Sequence, residues 1–246
     1  HRGQVEDLKT LTAYAIQRHY PDAKGPMDLL RAVCAAQSAL IPVWMSVGFI
    51  HGVMNTDNCA IGGETIDYGP CAFMDAYSEN RVFSSIDQQA RYAYANQPNI
   101  AVWNMAQFAT ALLQQMDNKE AAVEEATAII HAMPAQIEAE WLKRFGAKIG
   151  LSDATPADQP MIEDLLAMMQ ADGADFTNTF AHLGTDIAQD QFTNSAAFEA
   201  WAMSWQARLA RETDPSATMA LANPTIIPRN HRIEEMIQAA VAGDFR

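Results

Sequence analysis

Cysteine is scarce in this chain, and positive charge is outnumbered by negative. The three cysteines, Cys34, Cys59 and Cys71, form no CxxC pair. Their number and spacing indicate neither a disulfide framework nor a zinc cluster, and a reducing, cytoplasmic setting is the expectation. Lys and Arg total 16 against 30 Asp and Glu, a net charge of -14. Binding to phosphate backbones and to anionic lipid rests on cationic side chains, so neither nucleic acid nor a membrane surface is an expected partner. A nucleotide stays open, because a divalent cation can mediate between acidic side chains and phosphates. No apolar run reaches the ~18 residues that cross a bilayer. No stretch combines a basic start, an apolar middle and a small-residue cleavage site, so no secretory signal shows. Also missing are a GxGxxG, a Walker-type loop and a lysine in a Val/Ile-rich strand; Lys9, Lys24, Lys119, Lys143 and Lys148 all sit in helical or turn contexts.

What is present is mostly helix. At 246 residues with 49% hydrophobic and 19% charged content, the chain can bury a sizeable core, and one mainly α-helical domain over residues 1–246 is expected. Val5, Leu8, Leu11, Ala15 and Ile16 recur at helical spacing and stop before the turn-forming "YPDAKGP". Pro26 suits a first helical position, opening an apolar stripe through Leu30, Val33, Leu40 and Trp44. Pro42 is expected to kink or interrupt that run, and Gly48 to end it. Further helices are expected at "QPNIAVWNMAQFATALLQQMD", at "NKEAAVEEATAIIHAMPAQIEAEWLKRFGAKIG" with Asn118 as cap and Pro134 as a kink or break, and at "DQPMIEDLLAMMQ", "DFTNTFAHL", "SAAFEAWAMSWQARLARE" and "NHRIEEMIQAAV". Asn230 reads as the N-cap of the last of these.

The exception is "HGVMNTDNCAIGGETIDYGP", residues 51–70. β-Branched residues on either side of Gly62 and Gly63 read as a short hairpin. A hairpin returns the chain on itself, so Asn58 before it and Asp67 after it can become neighbours. They would offer two oxygens to one hard cation, Mg²⁺ or Mn²⁺, with Asp57 beside whatever that cation holds. The bland alternative is a set of Asx turns, since Asn and Asp bond their own backbone. The order matches kinase-like catalytic loops, in which a His-led loop supplies a base and an Asn, and a following Asp-x-Gly supplies a second metal ligand. Asn58 lies seven residues after His51, as in kinases, but Val53 stands where a kinase has its base, and Asp57 is the only acid in the loop.

With "HGVMNTDN", "TIDYGP", "FMDAY", "RYAYANQP", "WNMAQFATALL" and "NPTIIPRNH" in register, the whole chain resembles the selenoprotein O family of kinase-like protein adenylyltransferases. The resemblance implies a kinase-like C-terminal helical lobe that binds ATP flipped, so that AMP passes to Ser, Thr or Tyr hydroxyls of protein substrates. It also implies Asp57 as catalytic proton acceptor, Asn58 and Asp67 as metal ligands, and Asp67 lying against the nucleotide phosphates. Family members are roughly twice as long, and their N-terminal part supplies the lysine and arginines that hold phosphate; that lobe is absent from this chain. Ala95 replaces a Gly of many relatives, and Cys71 and Ala72 replace Phe-Gly. The competing readings are a kinase-type γ-phosphotransferase and a non-catalytic binding domain.

Other polar residues read as structural. His51 shapes its loop; Glu64 is a hairpin tip; Asp75 is a cap or a salt-bridge partner; Arg91 braces the lobe; "PRNH" is structural. Met161, Met168, Met169, Trp201 and Trp205 belong to the core. Apolar surroundings make Cys59 and Cys71 inert thiols.

Overall fold

A computed structural model describes residues 4–245. The protein is mainly α-helical. Among the described residues ten helices run in the order α1 (Val5–His19), α2 (Pro26–Ser46), α3 (Gln97–Leu113), α4 (Lys119–Lys148), α5 (Gln159–Asp172), α6 (Phe176–Ala181), α7 (Asp186–Gln189), α8 (Ser195–Leu209), α9 (Pro215–Ala222) and α10 (Asn230–Val241). Two short strands, β1 (Phe49–Ile50) and β2 (Ala72–Phe73), pair antiparallel, with Phe49 opposite Phe73 and Ile50 opposite Ala72.

The chain forms two compact units. The first holds residues 1–42, 53–69 and 96–140. Its core is built from one face of each of four helices: Ala15 of α1; Leu29, Leu30, Val33 and Cys34 of α2; Met105, Ala109 and Leu112 of α3; and Ala126, Ile129 and Met133 of α4. Burial at i, i+3 and i+4 steps is what an amphipathic helix requires. The second unit holds residues 43–52, 70–95 and 141–246. Its centre is aromatic: Phe176 lies 5.1 Å from Phe180, 5.9 Å from Tyr77 and 6.4 Å from Phe145, ring centroid to centroid. Trp201 stacks on Trp205 at 5.4 Å. The Asp75–Tyr77 backbone is laced to the α6 entry, where Phe176 N–H donates to Asp75 O and Tyr77 N–H to Ala174 O.

Several sequence expectations need correction. Of the kink or break expected at each internal proline, the break does not occur: α2 runs through Pro42 and α4 through Pro134 over 30 residues. An internal proline costs about 3 kcal/mol, but here buried residues flank each one, Ile41 and Trp44 in α2 and Met133 and Ile137 in α4, and their burial outweighs that cost. By length and mean hydropathy (1.3), α2 also meets the criterion for a membrane span, contrary to the expectation from sequence. Of its apolar window 61% is buried inside the protein, as in a core helix. Asn230 is the first helical residue rather than the cap; Arg229 is the cap, and its side chain makes no capping bond. Asn118 does cap α4, accepting from Ala121 N–H at 3.3 Å. The helices α7 and α9 and the β1–β2 ladder were not expected.

The aromatic core of the second unit encloses a lysine. Lys148 is 2% exposed. Its Nζ donates to Asn223 Oδ1 at 2.9 Å and sits 4.3 Å from the Phe180 centroid and 5.2 Å from that of Phe176. Among the described residues no carboxylate pairs with it, and burial lowers its pKa to about 7. In the unfolded chain the same amine titrates near ~10.4. Between those values unfolding takes up a proton, so stability rises with pH through the window and is lost as pH falls toward 7. Urea unfolding at pH 7.5 and pH 9 is therefore expected to show a gain of up to about 2 kcal/mol at the higher pH. In Lys148→Met, which keeps the Asn223 bond to the Lys148 backbone carbonyl, that gain is expected to disappear.

Candidate nucleotide-metal half-site

Residues 53–69 of the first unit carry the polar cluster. After Met54, which is fully buried, the chain makes a 3-10 turn at Thr56–Asn58. Cys59 then pairs antiparallel with Thr65, and Gly63 N–H closes the turn on Ala60 O at 3.1 Å. The hairpin expected from sequence is thus reduced to a single bridge. Gly63 takes φ +82° and lies so close to α2 that a Cβ would sit 3.0 Å from the Ala36 Cβ, which only glycine tolerates.

That bridge puts Asn58 and Asp67 at the same open end of the hairpin, one residue before Cys59 and two after Thr65. Paired Cα atoms in such a ladder are about 5 Å apart, so the bridge returns the backbone of the Asp67 arm to that of the Asn58 arm. The Asn58 side-chain N–H donates to Val53 O at 2.9 Å. This fixes the amide, leaving its Oδ1 as the acceptor. Asp67 is exposed and holds φ +56°, a left-handed conformation that Asp adopts more readily than most residues but still at some cost. Strain of this kind collects where geometry serves a site. Its Oδ1 turns back over Gly69, 3.4 Å from where a Cβ would stand. Asp57 is also exposed, at the middle of the 3-10 turn.

Three polar side chains hold this loop, and sequence reasoning had passed over all of them. Asn104 of α3, 1% exposed, donates through Nδ2 to Met54 O and to Cys59 Sγ, both at 3.0 Å. Gln37 of α2 donates to Ala60 O at 2.8 Å, and the Tyr20 hydroxyl donates to Ile61 O at 2.5 Å. The available signal was an amide interrupting an apolar run, in "CAAQSAL" and in "VWNMAQF". Burial pushes the Cys59 thiol up to about 11, with the Asn104 bond opposing and the Asp57 charge adding to the rise. The thiol keeps its proton, in line with the expectation of an inert cysteine.

Among the described residues no three His, Cys, Asp or Glu side chains converge. The donors on offer are hard oxygens, one amide and one carboxylate, and such a pair suits a Mg²⁺-type ion that completes its shell with phosphate oxygens and water. His51, in the second unit, is fully buried and stacks on Trp44 at 5.3 Å; its place is structural, as expected. Asp75 and the arginine of "PRNH" join in one ion-pair cluster: Arg229 reaches Asp75 and, at 2.6 Å, Asp175. Arg91 is exposed, with its guanidinium 5.7 Å from the Tyr92 ring.

A hairpin end that presents an amide oxygen and a carboxylate, braced from a helical core, has the donor chemistry that a cation-bound phosphate ligand calls for. The chain belongs to the SelO family: the profile described as protein adenylyltransferase SelO matches residues 1–245. It is 66% identical over 245 residues to a protein of Roseobacter denitrificans and 61% identical over 244 residues to one of a Ruegeria species, both named protein nucleotidyltransferase YdiU. A Rhizobium johnstonii protein of the same name is 47% identical over 262 residues. These alignments cover 99 to 100% of this chain and 52% of each relative, so the chain spans about half the length of the curated relatives it matches.

Removing the Asn104 amide tests the bracing. Asn104→Ala strips the buried Met54 carbonyl of its donor, a loss of about 1–3 kcal/mol. Amide hydrogen exchange is expected to quicken across residues 54–59 while staying unchanged in α5, and uniform protection would show that the loop is held without it.

Proposed function

We propose that this chain is the kinase-like helical lobe of a protein adenylyltransferase that moves AMP from ATP to a Ser, Thr or Tyr hydroxyl of a protein. The observation that carries the reading is the place of Asn58 and Asp67 on the two arms closed by the Cys59–Thr65 bridge, within a chain matched throughout by the SelO profile. The names of the relatives support protein nucleotidyl transfer in general. AMP as the group moved and hydroxyls as acceptors go further, and rest on the family profile together with the loop.

The chemistry divides among three side chains. Mg²⁺ or Mn²⁺ bound through Asn58 Oδ1 and the Asp67 carboxylate would supply charge neutralisation along the triphosphate. The Asp57 carboxylate, exposed at the turn, takes the proton of the acceptor hydroxyl as its oxygen attacks the α-phosphorus. The bond from that phosphorus to the bridging oxygen breaks, and pyrophosphate leaves with the electron pair. Asp67 orients the phosphates on its side of the hairpin. No Lys or Arg occurs in residues 51–70, so phosphate-holding cations come from outside this segment.

The seven-residue spacing from His51 to Asn58 is also that of kinases and favours γ-phosphoryl transfer as the second reading. The intact protein supplied with ATP labelled at the α- or the γ-phosphate separates them. Label from the α-position is expected in protein, and label from γ alone overturns the proposal. Asp67→Ala in the intact protein is expected to lower metal-dependent transfer by at least a hundredfold, and near-normal turnover would remove Asp67 from the site. Titration of the 246-residue chain with Mg²⁺-ATP is expected to show weak or undetectable binding; micromolar affinity would contradict the half-site.

A further inference from the structure

Within the second unit, an open cleft of about 380 Å³ lies among Tyr77, Tyr94, Trp141, Glu79, Glu163 and Gln170. Nothing in the chemistry above uses it. Its volume falls in the range of small-ligand sites, about 300–1,000 Å³, and its mix of aromatic surface with a few polar groups is theirs as well.

The polar groups are of one kind. Glu79 and Glu163 are exposed, and no Lys or Arg is among the lining residues. The aromatic groups are fixed from behind. Trp141 stacks one face on Phe145 at 4.6 Å, Tyr77 is stacked on Phe176 and meets Tyr94 edge-on at 5.8 Å, and the Tyr94 hydroxyl is tied to Met45 O at 2.8 Å. Tyr77 is 9% exposed, yet its hydroxyl makes no hydrogen bond among the described residues. Burial first, and then the Glu79 charge, push that phenol up to about 12, so it keeps its proton and offers its oxygen as an acceptor. Tyr77 lines the cleft, where its oxygen can meet a ligand's donor.

These features select the occupant. Two carboxylates without a cation exclude an anion, and the lack of three converging ligands among the described residues disfavours a metal. An aromatic wall beside carboxylates attracts an organic cation, through the ring quadrupole and through charge-assisted hydrogen bonds. Between the two cationic side chains, guanidinium is the better match. It is planar, sheds water more readily than ammonium, stacks on rings and presents forked donors to carboxylates. We propose that this cleft is a docking pocket for an arginine side chain of a partner protein, stacked against the aromatic wall and hydrogen-bonded to Glu79, Glu163 and the Tyr77 oxygen. The net charge of -14 steers basic segments toward this protein in general; the pocket gives one arginine a specific seat.

Saturation-transfer NMR on the intact protein, without nucleotide, tests this with N-acetyl-arginine amide as probe and N-acetyl-citrulline amide as its uncharged counterpart. Because no transfer reaction takes part, the outcome is independent of the adenylyltransferase reading. Saturable transfer to the arginine side-chain methylenes is expected, with no saturable signal from citrulline. Glu79→Gln combined with Glu163→Gln, both exposed positions, is expected to weaken binding at least tenfold while leaving the circular dichroism unchanged. Tyr77→Phe, which keeps the ring and removes the oxygen, is expected to weaken it severalfold. Equal binding of citrulline, an unchanged affinity in the double variant, or no saturable signal overturns the proposal.

Discussion

A polar loop laid on a helical core must have its inward-facing carbonyls satisfied from the core side, because water does not reach them. In the first unit that constraint is met by side-chain donors: Asn104 for Met54, Gln37 for Ala60 and Tyr20 for Ile61. Each comes from a helix, or its end, whose other face is already packed into the core. The loop therefore inherits the rigidity of the bundle. Asn58 is half-buried and Asp67 exposed, and residues between them are bonded from below. A cation site with only two protein ligands needs such support, since it lacks the further ligands that would otherwise fix its geometry.

The same loop shows why a short polar segment can carry chemistry with little secondary structure. A long hairpin would pair Asn58 and Ile66 into the ladder and tie their backbone groups to each other. Here pairing stops at Cys59 and Thr65. Asn58 falls in the 3-10 turn and Asp67 in a left-handed conformation, so neither continues the ladder. Gly63 pressed against Ala36 allows this, because it lets the turn sit on α2 without a side chain between them.

Helices were legible in the sequence because their signal is repetitive. The apolar stripes of α1 to α5, α8 and α10 survive single exceptions, and Pro26 and Asn118 mark starts with known chemistry. At the prolines the sequence left a kink and a break equally open, because the local penalty of a few kcal/mol cannot be weighed against burial; Met133 and Ile137 cannot be identified as buried on both sides of Pro134 until the fold exists. The β1–β2 ladder was not legible for a related reason. Phe49–Ile50 and Ala72–Phe73 are two residues each and 22 residues apart in sequence, too short for alternation to show. At the candidate site, Asp57, Asn58 and Asp67 stood out because acids and amides cluster beside glycines. Asn104, Gln37 and Tyr20 did not, since a polar residue in an apolar helix has many ordinary explanations. Asp75 and Arg229 are 154 residues apart, beyond any local pattern.

The second unit meets the cost of burying polar groups differently. Its aromatic centre encloses Lys148 with one amide partner and two ring faces, while its one buried-edge phenol without a partner opens to the Glu79 side of a cleft. Rings serve both places for one reason. A π-face is an apolar surface that still attracts positive charge, so the same packing that excludes water from Phe176 and Phe180 can tolerate a cation at its rim. Inside, the cation is the protein's own and largely gives up its proton to fit. At the cleft, two glutamates supply the counter-charge that Lys148 lacks. A guanidinium arriving from outside could therefore keep its charge there, which is the physical difference between a lysine buried for packing and a seat built for a visiting arginine.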